Sequence, residues 1–163
     1  MADLEHADAS NSPSANSSLR AEKTALRLIA RAEQCSAGLS RKLERRGFNN
    51  ATINEVISKL TEKDLLNDSR FAKFWLQSKI RFARSPRRLL VSLNAKGIYQ
   101  DVAQSALTAV LNEENAEITL IQRYVKKYTR KTAKSENPER FLKYMLKGEG
   151  FSASAIEQFL EQD

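Results

Sequence analysis

Leu89-Leu90-Val91-Ser92-Leu93-Asn94-Ala95-Lys96-Gly97-Ile98 is a frame that the chain uses three times. Leu39-Ser40-Arg41-Lys42-Leu43-Glu44-Arg45-Arg46-Gly47-Phe48 lies over it, and so does Leu142-Lys143-Tyr144-Met145-Leu146-Lys147-Gly148-Glu149-Gly150-Phe151. In each copy leucines stand eight and four residues before a glycine, and a large apolar residue follows it. Apolar residues four apart share one face of a helix. A glycine past the end of that face closes the last turn in a left-handed conformation, and the apolar residue behind it tucks back onto the helix just ended. Six residues beyond each glycine come Ile53, Ala103 and Ile156, and ten beyond come Ile57, Leu107 and Leu160. These open the apolar stripe of a further helix, for which Asn49 and Ser152 are suitable caps.

Gly47, Gly97 and Gly150 stand 50 and 53 residues apart. Each period has room for a long helix, a short helix ending in glycine, and a third helix. Strand-type alternation is absent. The fold class expected is all-α: three tandem three-helix repeats, over residues 20–66, 67–111 and 112–163, packed end to end as an elongated, curved array. Residues 1–19, rich in Ser, Asn and Ala, are expected to be a disordered tail. In the second repeat Asp68 is expected to cap a long helix over 71–83, with Phe71, Phe74, Trp75 and Phe82 on its buried face. Ser85-Pro86 starts the short helix, because Pro at the first helical position gives up an N–H that has no partner. In the third, Glu113, Glu114 and Glu117 open a helix that Lys126, Lys127, Arg130 and Lys131 close, acid first and base last. Asn137 and Pro138 then start its short helix after a loop.

The chain has 163 residues, 27 Lys and Arg against 20 Asp and Glu, and a net charge of +7. Three of the acids, Asp3, Glu5 and Asp8, precede the first basic residue, Arg20, so the rest is more basic still. A pI of about 9.6 favours association with polyanions. The one cysteine, Cys35, excludes an internal disulfide and suits a reducing compartment. No apolar run approaches a membrane span, and the acidic start Met1-Ala2-Asp3-Leu4-Glu5-His6 is not a signal peptide. A cytoplasmic protein without membrane association is expected.

Chemistry finds little to work with. The single histidine, His6, lies in the tail and cannot pair with Cys35 as a nucleophilic dyad. No CxxC or HExxH spacing, P-loop or GxGxxG occurs. Catalytic, cofactor-binding and metal-binding residues are therefore all expected to be none, and the protein to be a binding protein rather than an enzyme. Cys35 reads as a small structural residue near a helix end. Trp75 reads as core, with an interface anchor or stacking platform as the alternative.

The candidate binding face lies in the interval between Asp68 and Asp101, which holds no carboxylate. It carries Arg70, Lys73, Lys79, Arg81, Arg84, Arg87, Arg88 and Lys96. A face kept only for solubility would mix signs. Arg87 and Arg88 stand out, since a cation in the first turn of a helix opposes the dipole. Secondary candidates are Arg41, Lys42, Arg45 and Arg46 in the first repeat, and Arg123, Lys126, Lys127 and Arg130 in the third.

At Leu65-Leu66-Asn67-Asp68-Ser69-Arg70-Phe71-Ala72 and Ser85-Pro86-Arg87-Arg88-Leu89 through Gly97-Ile98 the chain resembles the RecX family, bacterial regulators of the recombinase RecA. The resemblance runs from about Ala21 to Gln162 and includes the blocks ending in Gly47-Phe48 and Gly150-Phe151. It departs from the family pattern at Ser85, where Gly is frequent, and at Gly38, where Glu precedes the leucine and where a weaker helix is expected. The resemblance implies three tandem three-helix repeats, no enzymatic activity, and binding to the RecA filament on DNA. It implies control, mainly inhibition, of the filament's ATPase, strand exchange and co-protease functions in recombination, DNA repair and the SOS response, by lodging in the filament's groove. Single- and double-stranded DNA would be bound without sequence preference, and the protein would act as a monomer. The alternative is a stand-alone nucleic-acid-binding regulator built from helix-turn-helix-like units.

Overall fold

The computed structural model describes residues 13–113, 115–128 and 137–162. Among them are nine helices and no strand: α1 (Pro13–Arg31), α2 (Ser36–Glu44), α3 (Asn50–Glu62), α4 (Asp68–Ile80), α5 (Pro86–Ala95), α6 (Gln100–Leu111), α7 (Ala116–Tyr128), α8 (Pro138–Gly148) and α9 (Ala153–Leu160). The chain divides into two compact units, Met1–Asn67 and Asp68–Asp163.

In the first unit α1, α2 and α3 pack on one another around Ala21, Ala25, Leu39, Leu43, Ile53, Val56, Leu60 and Leu66. Lys59 of α3 reaches Glu22 of α1 at 2.6 Å, and that contact raises the lysine's pKa. In the second unit α4 packs chiefly on α6, with α5 against both, while α7 and α8 pack on α9. The α7–α9 core of Ile118, Leu120, Ile121, Tyr124, Leu146, Phe151, Ala155, Ile156 and Phe159 also takes in Ile80 and Leu111 from the helices before it.

The glycine frame closes three helices in the same way. Gly47, Gly97 and Gly150 have φ of 84°, 91° and 87°. Their N–H groups donate to the carbonyls of Glu44, Asn94 and Lys147, and those of Phe48, Ile98 and Phe151 to Leu43, Leu93 and Leu146. This double bond pattern satisfies carbonyls that a helix end leaves free. Asn49, Asn137 and Ser152 each accept from a backbone N–H three residues on, as caps.

Three expectations change. Helix α1 begins at Pro13, so residues 13–19 are helical rather than part of a disordered tail, and Ser18 Oγ donates to Glu55 of α3 at 2.9 Å. Residues 1–12 lie outside the described part. Helix α4 starts at Asp68 and ends at Ile80, after which Ala83 takes a left-handed φ of 53°. Its buried residues are Ala72 and Leu76, whereas Phe74 is 65% and Phe82 50% exposed and Phe71 and Trp75 are half-buried. Two adjacent aromatics stand 100° apart on a helix and cannot share a narrow seam; the α4–α6 contact took the small and aliphatic pair. Helix α2 forms with Gly38 in its first turn, in keeping with the expectation that the glycine would weaken the helix without removing it. A β-carbon there would stand 3.0 Å from Cys35 Sγ, so the buried thiol occupies the space a side chain would need.

Candidate anion-binding cleft

Helix α5 is fixed by its first turn. Ser85, fully buried, accepts from Arg88 N–H and donates from Oγ to Glu149 Oε2 at 2.5 Å. Pro86 takes the first helical position. The next N–H, that of Arg87, would be unbonded inside an isolated helix; here it donates to the Glu149 carbonyl at 3.0 Å. Gly150 lies directly against this turn, the place of its absent β-carbon being 3.4 Å from Arg87 N and 3.5 Å from Pro86 Cβ. The start of α5 and the end of α8 are thus one polar joint.

Beside the joint opens a cleft of about 580 Å³, lined by Arg84, Arg87, Arg88, Val91, Ser92, Lys127, Tyr128 and Glu149. Arg84, Arg87, Arg88 and Lys127 are exposed. The one carboxylate among these residues, Glu149, is half-buried and already engaged by Ser85. It also faces Tyr124, whose hydroxyl is pushed up to about 12 by burial first and by the Glu149 carboxylate second, with Arg88 opposing. Lys127 Nζ stands 5.8 Å from the Tyr128 ring centre. Four cations converge on a space whose own acid is occupied. Arginine forks of this kind match carboxylate or phosphate oxygens two at a time.

The expected face of eight residues is therefore divided. Arg84, Arg87 and Arg88 meet in the cleft. Lys79 and Lys96 stand 5.9 and 5.7 Å from the Trp75 ring centre, and Lys79 and Arg81 stand 5.6 and 5.0 Å from that of Phe82. Arg70 and Lys73 are exposed on α4 and line neither group. Of the secondary candidates, Lys127 joins the cleft and Arg123 and Lys126 are exposed on α7. Arg130 lies outside the described residues. Arg41, Lys42, Arg45 and Arg46 belong to the first unit, where Lys42 Nζ donates to Gln34 Oε1 at 2.6 Å and Arg46 to the Lys42 carbonyl at 2.7 Å. Reading the sequence missed Tyr128 and Glu149 in the cleft. The signal for Glu149 was its place one residue before the repeated glycine, where the other copies carry Arg46 and Lys96. Among the described residues no group of three or more His, Cys, Asp or Glu is placed to hold a metal ion, and no helix is long and apolar enough to cross a membrane.

A family model described as RecX, first three-helix domain, matches residues 21–60. Over 140 residues the chain is 31% identical to the Regulatory protein RecX of Caldanaerobacter subterraneus subsp. tengcongensis, a match covering 86% of this chain and 68% of that one. The chain belongs to the RecX family. A second RecX relative, from Treponema pallidum subsp. pallidum, is 34% identical over 112 residues, 68% of each chain. The RecX fold is shared as well. The crystal structure of RecX from Lactobacillus salivarius superposes with a TM-score of 0.68 at 22% identity, over 91% of this chain and 97% of that one. Another RecX crystal structure gives 0.71 at 20% identity, over 91% and 73%. These RecX relatives are named regulatory proteins.

Proposed function

We propose that this member of the RecX family regulates the recombinase RecA, mainly as an inhibitor, by binding the RecA–DNA filament in its groove. It would thereby lower the filament's ATPase, strand-exchange and co-protease activities in recombination, DNA repair and the SOS response, as a cytoplasmic, non-enzymatic monomer. The observation that carries this reading is the match to a relative named Regulatory protein RecX over 86% of the chain. The cleft at the start of α5 supports it physically. Arg84, Arg87, Arg88 and Lys127 offer charge to acidic side chains of a protein filament or to DNA phosphates, and no carboxylate from Ser69 to Gln100 competes.

The test is titration of the protein into the DNA-dependent ATPase of RecA from the same organism. Wild type should inhibit. The double variant Arg87→Glu, Arg88→Glu should fold normally, since both side chains are exposed. It should need at least about tenfold more protein for the same inhibition, since a lost charge-assisted contact costs about 1.5–3 kcal/mol. Equal inhibition by the double variant would remove the cleft from the contact, and no inhibition by wild type would overturn the regulatory reading.

A further inference from the structure

The cations at the end of α4 are interleaved with aromatic rings that the fold buries only in part. Trp75 is half-buried between Lys79 and Lys96, and Phe82 is 50% exposed between Lys79 and Arg81. One ammonium, that of Lys79, lies 5.9 Å from the first ring centre and 5.6 Å from the second, so the two rings flank a shared charge. Phe74, next to Trp75, is 65% exposed. Solvation accounts for the cations, and Lys79 in the last turn also suits the helix dipole. Neither accounts for rings held among them. The ammoniums stand near the outer limit of cation–π contact, which is roughly 6 Å; they border the rings without closing them off.

We propose that Trp75, Lys79, Phe82 and Lys96 form a stacking site for single-stranded nucleic acid. The ligand that presents flat apolar faces and negative charges in alternation is an unpaired polynucleotide, whose bases stack on aromatic side chains while its phosphates meet the cations. A duplex hides its base faces in its own stack, and an acidic peptide offers charge without a flat face. Phe82 is available because it lies past the end of α4, in the turn that Ala83 closes with a φ of 53°. The proposal deepens the DNA contact contained in the function proposed above and rests on that part of it alone, since it needs no recombinase.

Trp75 is the only tryptophan in the chain, so its fluorescence reports on the site directly. Full-length protein, without RecA, is titrated with oligothymidylate, with a duplex of equal length and with polyglutamate. Fluorescence anisotropy of labelled oligonucleotides measures binding in parallel. Oligothymidylate should quench Trp75 saturably, with an affinity that falls as salt rises; duplex and polyglutamate should leave the emission nearly unchanged. Phe82→Leu, an exposed position that should fold normally, should weaken binding of the single strand about five- to tenfold or more and leave duplex binding unaltered. Binding of the strand without quenching, quenching by polyglutamate as strong as by the strand, or an unchanged affinity in Phe82→Leu would each overturn the stacking site. So would the absence of any strand binding. None of these results bears on inhibition of the RecA ATPase, which is measured separately and can fail or succeed alone.

Discussion

Three glycines with the same backbone conformation differ in what surrounds them. At Gly47 nothing lies within 4 Å of where a β-carbon would stand, whereas at Gly150 the backbone of Arg87 and the ring of Pro86 are already in contact range. Alanine should therefore cost about 1 kcal/mol at either position, the strain of a left-handed residue carrying a β-carbon. Valine should separate them: its branch meets only solvent at Gly47 but must displace Pro86 or Arg87 at Gly150. Thermal unfolding of the four variants would show this, and equal losses for both valines would mean the α5 turn gives way freely. Gly97→Val, at φ 91°, should cost about 1 kcal/mol or more on the same grounds. Tyr124 supplies a prediction in pH. Its folded pKa of about 12 lies above the ordinary tyrosine value of 10.0, so ionisation favours the unfolded chain. Stability from this group is complete below about pH 10 and is lost as pH rises towards 12. The melting temperature should fall across that window, and Tyr124→Phe should flatten that fall.

At the level of helices, α1 offers the clearest test of a corrected boundary. Deleting residues 1–19 removes its first turns and the Ser18–Glu55 hydrogen bond, and should cost about 1 kcal/mol, the net worth of one such bond. Unchanged melting on truncation would show that those turns bear no load. The all-α class was legible because leucines four apart, a closing glycine and a following apolar residue state a helix end in local chemistry. The same frame indicated the caps at Asn49 and Ser152, and the Asn137-Pro138 pair marked the start of α8. The buried face of α4 was not legible. Phe71, Phe74 and Trp75 outweigh Ala72 and Leu76 in hydrophobicity, yet the close approach of α6 selects the smaller pair, a choice made by tertiary packing. The site was legible in part. A run without carboxylates located Arg84, Arg87 and Arg88, but nothing local says that Glu149 and Tyr128, forty or more residues away, close the same cleft on them.

For the whole molecule, the hydrogen bond from Arg87 N–H to the Glu149 carbonyl ties the first turn of α5 to α8 within the second compact unit. Amide hydrogen exchange should find the Arg87 N–H protected in the intact chain, although its place in the helix gives it no partner of its own. In a chain ending at residue 136 it should exchange freely, while amides in the middle of α6 stay protected. Protection that survives truncation would mean that the joint does not order this turn. The joint also has a consequence for descent. The second and third glycine frames are not interchangeable parts, because Ser85, Pro86 and Arg87 in one must suit Glu149 and Gly150 in the other. A hybrid made by crossing two relatives between α6 and α7 would join a basic turn to a foreign seat, whereas a crossover at Asn67–Asp68 would pass both halves of the seat to the same offspring. Exchange among such genes should therefore break more readily before α4 than after α6.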